Sequence, residues 1–165
     1  MRNRRSERWY IPRLAPLVKT GRSPAKLHEL SGLSRRAARA YPRSSAVLTY
    51  RAQAMILCRE GRSASMLSLF RRAAHLDRAN AEAWQGIAFV HNLHNRNGLA
   101  ERYQRIAARL CDSPWNVEFL AMIIAERGRR QEAFRMLRRS RHRRHPWVKK
   151  AAKFLLANPW YSDPS

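Results

Sequence analysis

Cysteine, glycine and acidic residues are all scarce in this sequence. Its 165 residues include two cysteines, Cys58 and Cys111, which form no disulfide framework and have no metal-ligand spacing. We expect both to be buried thiols in a reducing compartment. The six glycines form no phosphate-cradling loop. The longest apolar run, residues 119–125, is far shorter than the ~20 residues that cross a bilayer, so no membrane-spanning helix is predicted.

The shortage of acid leaves a strongly basic chain. There are 34 basic residues and 11 acidic ones, which gives a net charge of +23. Such a charge repels itself, and a polyanionic partner is the simplest way to offset it. Residues 1–45 carry 12 basic and 2 acidic residues, 46–126 carry 10 and 7, and 127–165 carry 12 and 2. Polyanion binding is therefore predicted in the two flanks.

No arrangement of residues typical of catalysis is present in the sequence. The acidic residues are not paired, and His91 and His94 lie three apart without a third metal ligand nearby. We therefore predict a protein that is not an enzyme and that needs no metal or cofactor. Pro12 and Pro16 interrupt a signal-peptide core and also the amphipathic helix of a presequence. The expected location is the cytoplasm or an organellar matrix, that of mitochondria included, rather than the secretory route.

A period of 34 residues runs through the middle of the chain, relating Tyr50 to Trp84 and Ala73 to Ala107. The stretches EGRSAS, NRNGLA and ERGRRQEA each supply a glycine for the end of a helix. Because a period of this length is typical of stacked helix pairs, it predicts a helical repeat.

Prolines and serines mark the predicted helix starts. Pro114 and Pro146 suit the first turn of two helices, in DSPWNVEF and RHPWVKKA. Upstream, SPAKLHELSG predicts a short helix with Ser23 as its cap and Gly32 after its end. LSRRAARAYP predicts a second short helix.

The stretch AAHLDRANAEAWQGIA, residues 73–88, resembles the junction between two tetratricopeptide repeats (TPRs). Family positions are matched in three units by Tyr50, Ala54, Phe70 and Ala73; by Trp84, Ile87, Ala88, Ala100 and Ala107; and by Gly128, Phe134 and Pro146. The departures are Arg78 and Asp112 at the proline position, Gln104 at an aromatic position and His91 at a tyrosine position. The resemblance covers residues 46–146, and a generic helical bundle is the alternative.

The resemblance implies an all-α fold in which antiparallel helix pairs stack as a short right-handed solenoid of about three repeats. These repeats are expected at 46–79, 80–113 and 114–145. Residues 1–45 would form a basic arm with short helices, a degenerate half-repeat. Residues 146–165 would form a capping helix and tail, with Val148, Ala151, Ala152, Leu155 and Leu156 facing inward and Lys149, Lys150 and Lys153 facing water.

In the TPR family the first helices of the repeats line a groove that binds a segment of a partner protein. Carried over position by position, the resemblance assigns the following groove residues: Arg51, Met55 and Arg59, with Leu48; Gln85, Phe89 and Asn92, with Glu82; and Asn116, Phe119, Ile123 and Arg127. Met55 stands where relatives that clamp a terminal carboxylate have asparagine, so that activity is not implied.

The basic flanks supply the predicted polyanion site. Exposed helix faces usually mix charges of both signs, whereas the stretch after Glu132 has no acid until Asp163. Arginine suits bidentate contacts with phosphate. The predicted contacts are Arg2, Arg4, Arg5 and Arg8 in the first flank, and Arg135, Arg138, Arg139, Arg141, Arg143, Arg144, Lys149 and Lys150 in the second. Trp9 and Tyr10 beside the first set would either stack on bases or pack on the repeats.

These features predict a non-catalytic adaptor that binds one or more proteins in a multisubunit complex and is anchored by its flanks to RNA or another polyanion. One alternative is a ribosome-associated helical-repeat protein with RNA in the groove, which the apolar Met55, Phe89 and Ile123 disfavour. Another is a small TPR-type secretion chaperone, which the basic charge disfavours. A membrane surface and a small-molecule substrate are not expected as partners.

Overall fold

The computed structural model describes residues 6–20 and 23–157. Over these residues the chain forms nine α-helices and no strand. Their bounds are α1 Glu7–Thr20, α2 Pro24–Ala40, α3 Ser45–Leu57, α4 Ser63–Leu76, α5 Ala81–Leu93, α6 Asn97–Leu110, α7 Pro114–Glu126, α8 Arg130–Arg139 and α9 Pro146–Ala157. The prediction of an all-α chain is confirmed.

The chain divides into two compact units, Met1–Gly86 and Ile87–Ser165. Unit 1 holds α1 to α4 and unit 2 holds α6 to α9, while the boundary falls within α5. Helices α4, α6 and α8 begin at residues 63, 97 and 130, so their starts lie 34 and 33 residues apart. This spacing agrees with the 34-residue period of the sequence.

Serine caps define several helix starts. The Ser44 hydroxyl accepts a hydrogen bond from the Val47 amide at 3.2 Å, and the Ser113 hydroxyl accepts one from the Asn116 amide at 3.2 Å. Each bond satisfies an amide that has no partner within its own helix. Pro114 and Pro146 are the first residues of α7 and α9, as the sequence predicts.

The core of unit 1 extends into the N-terminal flank. Tyr10 and Leu14 of α1 pack in one cluster with Leu30 and Ala37 of α2 and Val47 of α3. The packing of the N-terminal aromatics on the repeats, one of the two alternatives above, is thus what the structure has, with Trp9 half-buried beside Tyr10.

Helix α1 contradicts the expectation that proline would interrupt it. Pro12 and Pro16 both lie inside its 14 residues. Each proline removes one backbone donor, which costs helix stability. The burial of Tyr10 and Leu14 stabilises α1 in spite of this loss.

Two predictions about glycines were also wrong. Gly32 does not end a short helix but lies inside α2, which runs for 17 residues, so the arm holds two long helices instead of short ones. Gly98 does not end α5 but lies in the first turn of α6. The left-handed residue after α5 is Asn95, with φ of 54°. Asparagine tolerates this conformation through local hydrogen bonding.

Unit 2 has a core in which α9 covers α7 and α8. Val148, Ala151 and Leu155 of α9 pack with Leu120 and Leu137. The predicted inward stripe is correct for these three residues of α9, and Ala152 is half-buried. It is wrong for Leu156, which is 63% exposed.

Neither cysteine matches the expectation fully. Cys58 is half-buried and Cys111 is exposed, and both are free thiols. Among the described residues, no helix combines the length and the apolar character needed to cross a membrane.

Candidate functional site

The groove residues predicted in unit 1 are held by contacts within the unit. Both terminal nitrogens of Arg51 donate to Glu60 Oε2 at 3.1 Å, and Met55 is buried. Ser31 also donates to this carboxylate. The hydrogen bond from Ser31, opposed by burial and helped by Arg51, lowers the pKa of Glu60. Arg51 therefore stabilises the unit, and of the three predicted residues Arg59 alone is exposed.

In unit 2 the groove residues Asn116 and Ile123 are buried as well. The Asn116 side chain donates to the Cys111 carbonyl at 2.7 Å and accepts from Gln104 at 3.1 Å. Gln104, which stands at an aromatic position of the TPR pattern, is fully buried. The two amides thus form a hydrogen-bonded pair beneath the surface.

Among the other predicted groove residues Leu48 is buried and Glu82 is exposed. Gln85, Phe89, Asn92 and Phe119 are half-buried, and Arg127 is exposed. Asn92 donates to Glu126 Oε2 at 2.6 Å, which joins α5 to α7 within unit 2. Of the twelve predicted groove residues, the two phenylalanines offer apolar surface at a place where the structure brings further aromatics together.

An aromatic row in unit 2, which we define as Phe89, Phe119, Trp115 and Trp147, is the most prominent feature that the sequence reasoning missed. The ring centroids of Phe89 and Phe119 lie 6.3 Å apart, and those of Phe119 and Trp115 lie 6.5 Å apart. Trp147 meets Trp115 edge to face at 6.2 Å. Trp115 and Trp147 are 50% and 52% exposed. The repeated Pro-Trp pair at the start of α7 and α9 was the available signal.

Charged groups border the aromatic row. The ring of His145 meets the ring of Trp147 edge to face, and their centroids lie 5.1 Å apart. Burial raises the pKa of Glu118, and the nearby charges of Lys150 and His145 oppose that rise. The border of the row is thus mixed in charge, unlike the segment that follows α8.

The second basic flank is not one continuous helix face. Helix α8 ends at Arg139, and residues 141–145 form turns. Arg141 of these turns pairs with Asp112 at 2.6 Å, and His142 lies 3.1 Å from the same carboxylate. Asp112 lies in the connection between α6 and α7, so it attaches the basic turns to the rest of unit 2.

Every described member of the predicted polyanion set is exposed. These are Arg8 in α1 and Arg135, Arg138, Arg139, Arg141, Arg143, Arg144, Lys149 and Lys150. Arg2, Arg4 and Arg5 lie outside the described residues. The structure therefore leaves the second flank accessible.

A cleft between α8 and α9, which we call the α8–α9 cleft, lies in this flank. It encloses a volume of about 460 Å³. Its floor and rim are formed by Phe134, Leu137, Arg138, Arg143, Arg144, Val148, Lys149, Ala152, Lys153 and Leu156. Its described lining consists of apolar side chains and cations.

One carboxylate in unit 2 holds three arginines. Glu101 is buried and accepts hydrogen bonds from Arg105, Arg127 and Arg129. Burial alone would raise the pKa of Glu101, but the hydrogen bonds from the three arginines lower it to about 2. The predicted groove residue Arg127 belongs to this cluster. Its role there is to join α7 to α6.

Neither the thiols nor the other polar groups suggest chemistry. Burial, with a smaller contribution from Glu60, raises the pKa of Cys58. Because its pKa is raised, little of the Cys58 side chain is present as the reactive thiolate at neutral pH. No cluster of three or more His, Cys, Asp or Glu side chains suited to a metal ion occurs within residues 6–20 and 23–157.

Comparison with solved structures identifies the fold. A thermophilic TPR protein from Thermus thermophilus matches with a TM-score of 0.76 and 17% identity over 94% of this chain and 84% of that one. A chain of the APC/C hetero-tetramer Cut9–Hcn1 matches with a TM-score of 0.76 and 18% identity over 90% of this chain. This chain spans 28% of the length of that second structure. No protein-family model and no curated protein matches the sequence.

These likenesses confirm the predicted TPR-like helical repeat. At identities of 17% and 18% they concern the fold.

Proposed function

We propose that this chain is a non-catalytic TPR-like scaffold that binds a segment of a partner protein along the aromatic row. Its exposed basic residues would bind RNA or another polyanion in a larger assembly. The observation that carries the proposal is the continuity of the row, in which two half-exposed tryptophans extend the pair Phe89 and Phe119.

The energetics of the row suit a binding site. A tryptophan buries roughly 150–250 Å² when it is fully covered. Trp115 and Trp147 each have about half of their surface still exposed. Covering both would therefore remove roughly 200 Å² from water, which contributes about 5 kcal/mol before the costs of association. Tryptophan is also enriched among the residues that dominate protein interfaces.

The basic flank suits the second part of the proposal. Arg143, Arg144 and Lys149 are exposed and belong to a flank with a large excess of positive charge. Contacts of arginine and lysine with phosphates release counterions, so binding should weaken steeply with salt. Such contacts position a nucleic acid without reading its sequence.

The test is photo-crosslinking from position 115 in the native cells. We expect a crosslinking amino acid at Trp115 to capture a discrete protein, and Trp147→Ala to reduce that capture. The matched control places the same amino acid at Leu110, which is also exposed in unit 2. Nuclease treatment before analysis separates captured protein from captured RNA. If position 115 captures no protein beyond what Leu110 captures, the scaffold proposal is wrong.

A second candidate is RNA held on the aromatic row itself. It is favoured by the exposure of the two indole rings, because unpaired bases stack on such rings beside cations. The carboxylate of Glu118, three residues after Trp115 on the same helix, disfavours it. In the crosslinking experiment this candidate predicts capture at position 115 that nuclease removes.

A further inference from the structure

We propose that the α8–α9 cleft binds an acidic amphipathic segment of a partner protein. Apolar side chains of that segment would enter the floor of the cleft, and its carboxylates would face the cationic rim. The inference rests on the proposed polyanion binding by the second flank and names the class of polyanion. The site is separate from the aromatic row.

The floor of the cleft is apolar and partly open. Leu137 and Val148 are buried at its base, and Phe134 and Ala152 are half-buried beside them. Leu156 lines the cleft with 63% of its surface exposed. Val148 and Ala152, the other described aliphatic residues of α9 that line the cleft, are less exposed than Leu156. Removing such surface from water stabilises a complex by roughly 25 cal/mol per Å².

The rim of the cleft is entirely cationic among the described residues. Five cations line it, namely Arg138, Arg143, Arg144, Lys149 and Lys153. All five side chains belong to exposed residues. No described carboxylate lines the cleft. Like charges so placed raise one another's free energy, and an anionic ligand relieves that repulsion.

The acidic residues of unit 2 that lie near this flank are engaged elsewhere. Glu132 on α8 accepts from Arg105 at 3.2 Å and from Arg129 at 3.0 Å. Asp112 pairs with Arg141. Neither of these two carboxylates is therefore left to complement the rim.

The floor distinguishes a protein segment from the other polyanions. Phe134 is the one aromatic ring among the described residues that line the cleft, and the guanidinium of Arg138 lies over it at 5.8 Å. The floor therefore offers no open ring on which a base could stack, and a phosphate chain needs no apolar floor. A bilayer surface cannot enter a concavity between two helices, whereas leucine-sized side chains of an amphipathic helix can.

The first measurement uses a fluorescent synthetic peptide, an amphipathic helix with leucine at i, i+3, i+4 and i+7 and glutamate elsewhere. We expect it to bind the full chain at physiological salt, as followed by fluorescence anisotropy. Leu156→Ser and the pair Arg143→Glu with Arg144→Glu should each weaken binding by about tenfold or more, a change of about 1.4 kcal/mol per tenfold. A peptide with serine in place of leucine should bind much more weakly.

Matched controls lie outside the cleft in the same unit. Leu93→Ser removes an exposed leucine, and Arg109→Glu reverses an exposed arginine. Neither should change the affinity for the peptide. Lys153→Glu is a second rim variant in case the double reversal impairs folding, which circular dichroism would detect.

Two further probes distinguish the other polyanions, an oligouridine and vesicles of phosphatidylglycerol. The inference is overturned if the peptide binds the Leu156→Ser variant as tightly as it binds wild type. It is also overturned if the oligouridine competes with the peptide and itself binds the Leu156→Ser variant more weakly than wild type. It is likewise overturned if vesicles bind the chain and the peptide does not. If the peptide does not bind the cleft but position 115 still crosslinks a protein, the further inference fails and the proposed scaffold function stands. Failure of the inference and failure of the proposed function are therefore distinguishable.

Discussion

Gly86 of α5 lies against the ring of Phe70 of α4 so closely that a Cβ at position 86 would overlap the ring carbons. Phe70 is buried, with 1% of its surface exposed. The missing side chain therefore permits the close approach of the two helices in unit 1.

Gly86→Ala should destabilise the protein. Alanine gains up to about 1 kcal/mol of helix propensity over glycine, whereas overpacking costs about 1–3 kcal/mol. We expect a net loss of about 1 kcal/mol in the free energy of unfolding, measured by urea denaturation. Adding Phe70→Leu to Gly86→Ala should restore part of the lost free energy of unfolding. If Gly86→Ala alone were more stable than wild type, the packing of Gly86 on Phe70 described here would be wrong.

Trp84→Ala should have a smaller effect than the sequence suggests. A fully buried tryptophan costs about 3–5 kcal/mol on truncation. Trp84 is half-buried, and its indole nitrogen donates to the Arg78 carbonyl at 2.9 Å. We expect a loss of about 2 kcal/mol, and a smaller one for Trp84→Phe, which removes the hydrogen bond and keeps a ring. A loss equal to that of a fully buried tryptophan would mean that the ring is covered more than the structure shows.

Glu101→Gln should destabilise unit 2 in a pH-dependent way. The folded-state pKa of Glu101 is about 2, below its usual value of 4.5, so the charged carboxylate stabilises the fold above pH 4.5. That contribution is lost as the pH falls from about 4.5 to about 2. Because the three arginines are partly exposed, we expect about 2 kcal/mol at neutral pH. Denaturation from neutral to acid pH should show wild type and variant converging.

Charge reversal in the second flank should weaken polyanion binding. Where the bound polyanion is single-stranded RNA, reversing Arg138, Arg139, Arg143 and Arg144 removes up to four phosphate contacts, so the slope of log K against log salt should fall by about 0.7 per contact. The same number of reversals among exposed arginines of α4 and α6 is the control. An unchanged slope would exclude this flank as the RNA site.

Deleting residues 1–22 is a poor test of the first flank, although the charge distribution alone suggests it. The deletion would remove Tyr10 and Leu14 from the core of unit 1. Arg8→Glu changes an exposed charge of α1 and keeps that core. We expect Arg8→Glu to leave the free energy of unfolding within about 0.5 kcal/mol of wild type.

The helices with local signals were the predictable part of the fold. Pro114 and Pro146 mark true helix starts because a first-turn proline removes no intrahelical hydrogen bond. Inside α1 the two prolines do not end the helix, because the long-range packing of Tyr10 and Leu14 outweighs the local preference of proline against helix interiors. The 34-residue period does not reveal the burial of Met55 or Ile123, because the helices that carry them, α3 and α7, are apolar on more than one face.

The aromatic row was not predictable from spacing. Trp115 and Trp147 are 32 positions apart and meet because α9 packs on α7. The cleft likewise depends on the turns at residues 141–145, which the sequence presents as a continuation of a basic helix. Charge composition draws attention to the second flank, and the packing of α9 on α8 shows which of its arginines share an apolar floor.

The contacts of Asp112 have a consequence for recognition by the basic turns. Its carboxylate attaches Arg141 and His142 to unit 2 before any partner arrives. Ordering a long side chain on association costs roughly 0.5–1.5 kcal/mol, and a preorganised turn avoids part of that cost. A negatively charged residue thereby holds two basic neighbours in place, while its own charge offsets part of theirs.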